Sequence, residues 1–588
     1  MLLEDVPIAR LARMLEPHMD QPAWPGIARP ADRARVKRWM KKLGRWGRLG
    51  ESLEDPGPPP RVLWSRYQQF KRSGTRKGDE ADRRQVGQRV NDLTLGLWLG
   101  HPAADVDAMH DLLWAICEMT TWVPSAHQYC NLDLLSTEWA RMLAQSVWLV
   151  GDQLDQAVTD RLHAEIRRRV LDVASDWRTP DWWSTVPMNW NHVCNANLVI
   201  TALYEIDGFA LPNFIHPRIQ NMQYALDGFG DDGSCLEGPG YWGYGFGHFI
   251  NAAIALRHRT GGALNLADDP KVGHICRFPI ATHIAGDHRA IFGDNSHGRV
   301  ANDLAIKINY LLDVPELLAI ARPDDEGRVA PRSLEALAIY RGQKARTERA
   351  DDDALLPDLG LAKLRQGKAS KRTTLVALAG RNDFPHNHND VGSFMVHKHG
   401  RCLLTDPGAP VYTARTFGSE RYTILQTRSF GHSVPLINGR EQPEGSEYHA
   451  TLEAEGVDDD KARVKRATIE MASAYDVADL KQLQRAFELA ADGTLTMTDS
   501  YRFGRKPRSV EEAFVTYEPA KVAGGGRSVT IGSGRRSMTL RAESPGRFKV
   551  NELSEAESAG RDNPGTLKRI TFTPTKLERQ MQLRFVIS

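Results

Sequence analysis

Apolar residues recur at three and four positions through the first part of the chain and at every second position through the last part. Val106, Met109, Leu113, Ile116 and Met119 form one set at helical spacing. Leu132, Leu135, Trp139, Met142 and Leu143 form a second, and Val158, Leu162, Ile166 and Val170 a third. Such spacing places each set on one face of a helix. The connectors "GDQLD", "RTGGALN" and "DGFGDDGS" are short and rich in Gly and Asp, as turns between helices require. Helix pairs in series, with no strand signal between them from about 100 to 345, predict an α/α solenoid closed or nearly closed into a toroid.

The period changes after "RADDDALLPD", residues 349 to 358, whose Asp run and Pro mark a boundary. Leu495 and Met497 alternate with Thr, and Met581, Leu583, Phe585 and Ile587 alternate with polar residues, the mark of half-buried antiparallel strands. The expected class is therefore segregated α+β: an N-terminal (α/α) toroid, then an antiparallel β-sandwich or stacked sheets. The expected domains are a helical arm over 1–90, a toroid over 91–350 and a sheet domain over 358–588.

A chain of 588 residues can bury more than one core, and its net charge of +2 names no partner. Residues 29 to 48 carry nine Lys or Arg against one Asp, with Trp39 and Trp46 interleaved. A polyanion could bind such a segment, but a solvated basic helix anchored by its two Trp is the favoured reading. The six cysteines are scattered without CxxC spacing, which argues against a thiolate zinc site or a disulfide framework and for reduced thiols. The N-terminus lacks the apolar core of a signal peptide, and no run of about 18 apolar residues occurs. A cytoplasmic protein is expected, or a periplasmic or secreted one whose export signal was removed, with no membrane span and no nucleic-acid partner.

Three stretches carry candidate chemistry. In "HNHND", His386, His388 and Asp390 alternate with Asn387 and Asn389, so an extended backbone sends imidazoles and carboxylate one way and amides the other. Asp406 in "LLTDPG" and His432 in "SFGHSVP" follow at strand ends, and His388, Asp406 and His432 make a candidate zinc set. In "DDGSCLEGPGYWGYGFGHF", Tyr241, Tyr244 and His248 are spaced i, i+3, i+7 on one helix face, apart from the apolar Phe246, Phe249, Ile250 and Ala253. In "WWSTVPMNWNHVCNANLVITALY", Asn189, Asn191 and His192 stand at the start of a helix, beside Trp182, Trp183 and Trp190. Amides there suit negative charge, although for this stretch alone an ordinary cap with tryptophan packing is the preferred reading.

Together these motifs resemble the heparinase II/III-like polysaccharide lyases, a family that includes alginate lyases and is related to dermatan-sulfate epimerase. The resemblance rests on "DGSCLEGPGYWGYG", on "NWNHVCN", and on "HNHNDVGSFMVHKHGRCLLTDPG" followed by "RSFGHSVPLING", as ordered landmarks over roughly residues 120 to 440. It implies an incomplete toroid followed by antiparallel sheets, a uronic-acid-containing anionic polysaccharide as substrate, and β-elimination to a 4,5-unsaturated uronate. Tyr241 is similar to the family's catalytic tyrosine and would serve as both base and acid, with Tyr244 as the alternative. Asn189 and His386, with His192 nearby, would neutralise the uronate carboxylate. Tyr244, Asn191, His127, Glu237 and Trp190 are expected to contact the sugar chain. His388, Asp406 and His432 match the family's zinc positions, where the metal is structural. A uronate C5-epimerase and a non-catalytic polyanion-binding protein are the competing readings. The polysaccharide and the oligomeric state stay open, a homodimer being one option.

Overall fold

The computed structural model describes residues 2–3, 6–54, 59, 61–176, 178, 181–345, 352–367, 372–554, 558, 560–561 and 565–588. Two compact units emerge. The first comprises Met1–Phe229, Trp242–Gly273 and Val300–Arg346; the second comprises Gly230–Tyr241, His274–Arg299 and Thr347–Ser588.

The first unit is built from helices, and the expected apolar faces are its core. Met109, Leu113 and Ile116 are buried in the helix Val106–Cys117, as are Val158, Leu162 and Ile166 in Gln156–Ile166. Acidic caps set the starts: Asp105, Asp133 and Asp155 accept hydrogen bonds from the backbone N–H of Asp107, Ser136 and Ala157. At its centre runs the helix Asn189–Glu205, buried at every position from Val193 to Leu203 and packed by the helices Leu134–Val150, Ala210–Asp227 and Gly247–Arg259. A helix enclosed on all sides needs no polar face, which explains its weak amphipathic pattern. The basic segment folds as the helices Pro30–Lys42 and Arg45–Glu54. Trp39 packs edge-on against Tyr340, Trp46 packs on His101, and Arg35 donates to the carbonyls of Gly26 and Ala338. Its tryptophans and part of its charge are thus committed to holding these helices in place.

The second unit holds the sheets. Strands Ala354–Leu356, Leu361–Gln366, Thr373–Leu378, Phe394–Lys398 and Arg401–Leu404 pair in chain order. A nine-stranded sheet runs from Ala520–Ala523 to Gly380–Asn382, and a four-stranded sheet contains Gly546–Glu552, Lys568–Pro574, Val510–Thr516 and Leu436–Ile437. The pairings are antiparallel. Leu495, Met497, Leu583, Phe585 and Ile587 enter one core with Phe394, Phe487 and Phe514, so the period-two reading holds. Helices first and antiparallel sheets afterwards is the expected fold class.

Where the expected domains meet, the structure differs from a plain linker. Residues 349–351 of the boundary segment, the first Asp of the run among them, lie outside the described residues. Asp353 is buried, accepting from the N–H groups of Arg365 and Asp458 and pairing with Lys465. Two stretches inside the expected 91–350 domain also pack with the second unit. Lys363 Nζ donates to the carbonyls of Ile280 and His283, which ties the segment His274–Arg299 to a sheet strand. No periodicity signals such a side-chain anchor.

Buried charge positions the loops. The Arg485 guanidinium is fully buried, pairs with Asp499 and Glu512, and donates through Nη1 to the carbonyls of Gly392 and Ser433, 2.7 Å each. Gly392 follows the "HNHND" loop and Ser433 follows His432, so one side chain ties both loops to the sheet.

Candidate active site

Asp294, in the segment "FGDNS", is the hub of the second unit. His386 Nδ1 approaches its Oδ2 at 3.1 Å, His388 Nε2 its Oδ1 at 3.1 Å, Arg421 Nη2 its Oδ1 at 2.9 Å, and the Tyr412 hydroxyl donates to Oδ2 at 3.2 Å. Burial works against the charge of Asp294, but the two histidines and the guanidinium outweigh it and hold the carboxyl well below the usual carboxylate range. The preceding Gly293 has φ +57, and a Cβ there would come within 2.6 Å of the His386 carbonyl oxygen, so glycine is required for the approach.

Tyr241 completes the group. Its hydroxyl lies 3.2 Å from His386 Nδ1 and hydrogen-bonds the Tyr412 hydroxyl, and its ring stacks on His386 with centroids 4.1 Å apart at 13°. Burial, reinforced by Tyr412 and Asp294, pushes the Tyr241 phenol well above its ordinary value. Glu237 Oε2 lies 3.9 Å from His386 Nε2. Asn295 shapes the Gly-rich turn before Tyr241: Nδ2 donates to the Glu237 carbonyl and Oδ1 accepts from Gly240 N–H. His386 itself takes φ +62, a conformation costly for a non-glycine residue and maintained here by its neighbours.

The "HNHND" segment is a loop, not a strand, yet it sorts its side chains as expected. His386 and His388 face Asp294. Asn387 accepts from the Tyr422 hydroxyl, and Asn389 donates to the Gln442 carbonyl. Behind His388 lies a buried cluster of His388, Asp390, Asp406 and His432, one ligand atom from each within 4.8 Å of all the others. His388 Nδ1 and Asp390 Oδ2 are buried without a hydrogen-bond partner. Such orphaned donors, two imidazoles and two carboxylates, could hold a metal ion. The outer partners suit it as well: His388 Nε2 is held by Asp294 and His432 Nε2 by the Gln426 carbonyl at 2.8 Å. Burial pushes Asp390 up to about 7. For His432, burial is outweighed by Asp406 and Asp390, which raise it to about 9.

The remaining expected site residues lie in the first unit, apart from Glu237. The turn Trp242–Phe246 is a π-helix, so Tyr244 is not simply one turn beyond Tyr241. Its hydroxyl donates to Glu138 at 2.7 Å and its ring meets His248 edge-on. Tyr244, Glu138 and His127 line a cleft of about 560 Å³ with Arg76, Arg84 and Arg141. His127 Nδ1 lies 2.8 Å from Asp133, and Trp190 packs edge-on against the His127 ring. Asn189 opens its helix and is buried, whereas Asn191 spends its amide on the carbonyls of Ser184 and Asn221. His192 is 1% exposed, bonded to the Met222 carbonyl and surrounded by Phe229, Phe246 and Phe249. Burial lowers it to about 3, so it is a neutral core residue.

Sequence reasoning missed Asp294, Tyr412 and Arg421 and left Asp390 out of the metal set. "GDNS" and "VYTAR" are short loop motifs without periodicity; only the Gly before Asp294 hinted at a close approach.

The family "Heparinase II/III-like, C-terminal" matches residues 348–531. No curated protein sequence matches the chain. Among solved structures, a heparinase III is similar with a TM-score of 0.64 at 11% identity, covering 97% of this chain and 93% of that one. The heparan sulfate lyase of Pedobacter heparinus gives 0.57 at 12% identity, covering 96% and 91%. The chondroitin AC lyase of Streptomyces coelicolor A3, solved with chondroitin sulphate, gives 0.53 at 10% identity, covering 99% and 82%. Together with the motifs, these findings bear out the family resemblance: residues 348–531 match the heparinase II/III-like C-terminal family, in a chain that has the heparinase III fold.

Proposed function

We propose that the chain is a polysaccharide lyase that cleaves a uronic-acid-containing anionic polysaccharide, of the glycosaminoglycan class, by β-elimination. The observation that carries this reading is the single hydrogen-bonded group of Tyr241, His386, Tyr412 and Asp294. The C5 hydrogen of a uronate is weakly acidic, so a base must remove it while a donor protonates the departing 4-oxygen. The C4–O4 bond breaks, a C4=C5 double bond forms, and no water is consumed. Asp294 engages His386 Nδ1, leaving Nε2 to take the C5 proton. Tyr241, kept as a phenol by its raised pKa, delivers a proton to O4. Sequence reasoning gave both steps to Tyr241; forming a phenolate beside Asp294 is costly, which supports dividing them. Tyr241 and His386 stack in one layer and act from one side of the sugar, which favours elimination over C5 epimerisation, where a donor on the opposite face is needed.

His192 is assigned packing. The cleft lined by Arg76, Arg84, Arg141, His127 and Tyr244 also holds Glu80, Asp92 and Glu138, with Arg76 and Arg141 paired to carboxylates, so Arg84 is the cation it offers most directly to a polyanion. Zn²⁺ suits His388, Asp390, Asp406 and His432, where it would brace the loop that carries His386 without taking part in proton transfer. The test is a panel of heparan sulfate, chondroitin, hyaluronan, alginate and glucuronan, followed by the ultraviolet absorbance of an unsaturated uronate. Absorbance with at least one polymer is expected. Altered C5 stereochemistry without absorbance would favour the epimerase, and binding with neither change a non-catalytic protein.

A further inference from the structure

We propose that the second unit carries a second metal site, formed by His288, His297 and Cys402 with His397 as a fourth donor, for a thiophilic cation such as zinc. It shares no residue with the carboxylate-rich cluster of His388. One ligand atom from each of His288, His297 and Cys402 lies within 4.8 Å of the other two. Tetrahedral ligands at about 2.0–2.3 Å from zinc stand about 3.3–3.8 Å apart, which falls inside that limit. The donors come from three places: the strand His288–Arg289, the following loop, and the strand Arg401–Leu404.

A separate observation points to a ligand. His397 is the direct cross-strand partner of Cys402, which places both side chains on one face of the sheet. Its ring centroid lies 5.1 Å from that of His288, and its Nε2 is buried with no hydrogen-bond partner. An orphaned buried imidazole nitrogen is unfavourable unless something completes it. A backbone hydrogen bond with Ala285 engages His288, and the Arg289 N–H donates to His297 Nδ1 at 3.4 Å, which leaves Nε2 as the His297 ligand atom. Burial keeps the Cys402 thiol protonated; an arriving cation forms the metal–sulfur bond as the thiol proton leaves to solvent. Asp287 favours positive charge near His288 while Arg401 opposes it, Asp406 and Arg289 act likewise on His297, and Arg365 opposes positive charge at His397. The thiolate charge therefore decides the balance, and a soft ligand selects a thiophilic ion over magnesium or calcium. The absence of CxxC spacing does not exclude such a site, because its ligands are not sequence neighbours.

The experiment strips the full-length protein with a chelator and titrates it with Co²⁺, whose bond to a thiolate gives a charge-transfer absorption in the near ultraviolet. The carboxylate-rich cluster contains no sulfur, and because the chain has five other free cysteines the part of the band that Cys402→Ser removes is what reports this site. Wild type is expected to develop the band, and Cys402→Ser to lose it together with one equivalent of bound Co²⁺. His288→Gln, at a partly exposed position, provides the same loss should the serine variant fail to fold. A wild-type titration without the band, or a band of unchanged strength in either variant, overturns the site.

Discussion

Asp294 does at one point what the sequence distributes over several motifs. Its two carboxylate oxygens engage His386 and Tyr412 on one side and His388 and Arg421 on the other. Replacing it by Asn keeps the shape, removes the charge, and puts a donor where acceptors are needed. Asp294→Asn should therefore lower kcat by about 10² to 10⁴, the usual contribution of acid–base machinery. Because it also holds His388, metal affinity at the carboxylate-rich cluster should fall about 10- to 100-fold. Loss of turnover with unchanged metal binding would show that the two sites are independent. At this scale the sequence was partly legible. The alternation of "HNHND" identified His386 and His388 through the chemistry of their types. Asp294 and Tyr412, by contrast, gain their roles only when loops 92 and 26 positions away from His386 fold against it, a relation no local pattern encodes.

Among elements, the loops that carry the site depend on a sheet. Arg485 joins the carbonyls of Gly392 and Ser433 to a buried pair of carboxylates, Asp499 and Glu512. Removing one partner of a buried ionic network leaves uncompensated charge, so Arg485→Met should destabilise the protein by about 3–5 kcal/mol in chemical denaturation. A change below about 1 kcal/mol would mean that the loops are held elsewhere. The elements themselves were legible wherever one face meets water: the helices around Met109 and Leu162 and the strands around Met497 and Phe585 follow their expected periods. The helix Asn189–Glu205 and the π-turn after Tyr241 were less so. The first is buried all round and lacks a polar stripe, and the second departs from 3.6 residues per turn where three glycines alternate with aromatic rings.

Across the whole molecule, the first unit carries an acid-sensitive contact that shares Arg141 with the proposed polyanion cleft. Burial raises the Glu335 carboxyl, but Arg141 and Lys307 outweigh it and bring it down to about 2. A lowered folded-state pKa gives stability that is fully present above the unfolded value, about 4.3, and is lost as pH falls toward 2. Denaturation between those pH values should therefore show a steeper loss of stability in wild type than in Glu335→Gln. Helices followed by antiparallel sheets could be read from the change of period, while the crossing of Gly230–Tyr241 and His274–Arg299 into the second unit could not, since single side chains such as Lys363 and Asn295 secure it. That crossing puts Tyr241 and Asp294 in the same unit as His386, and the proposed chemistry depends on it. The most direct measurement is the rate at which unsaturated-uronate absorbance appears on a cleaved polymer for wild type, Tyr241→Phe and Tyr244→Phe. The account predicts a loss of about 10² to 10⁴ in kcat for Tyr241→Phe and near-normal kcat for Tyr244→Phe. Full activity in Tyr241→Phe would contradict it.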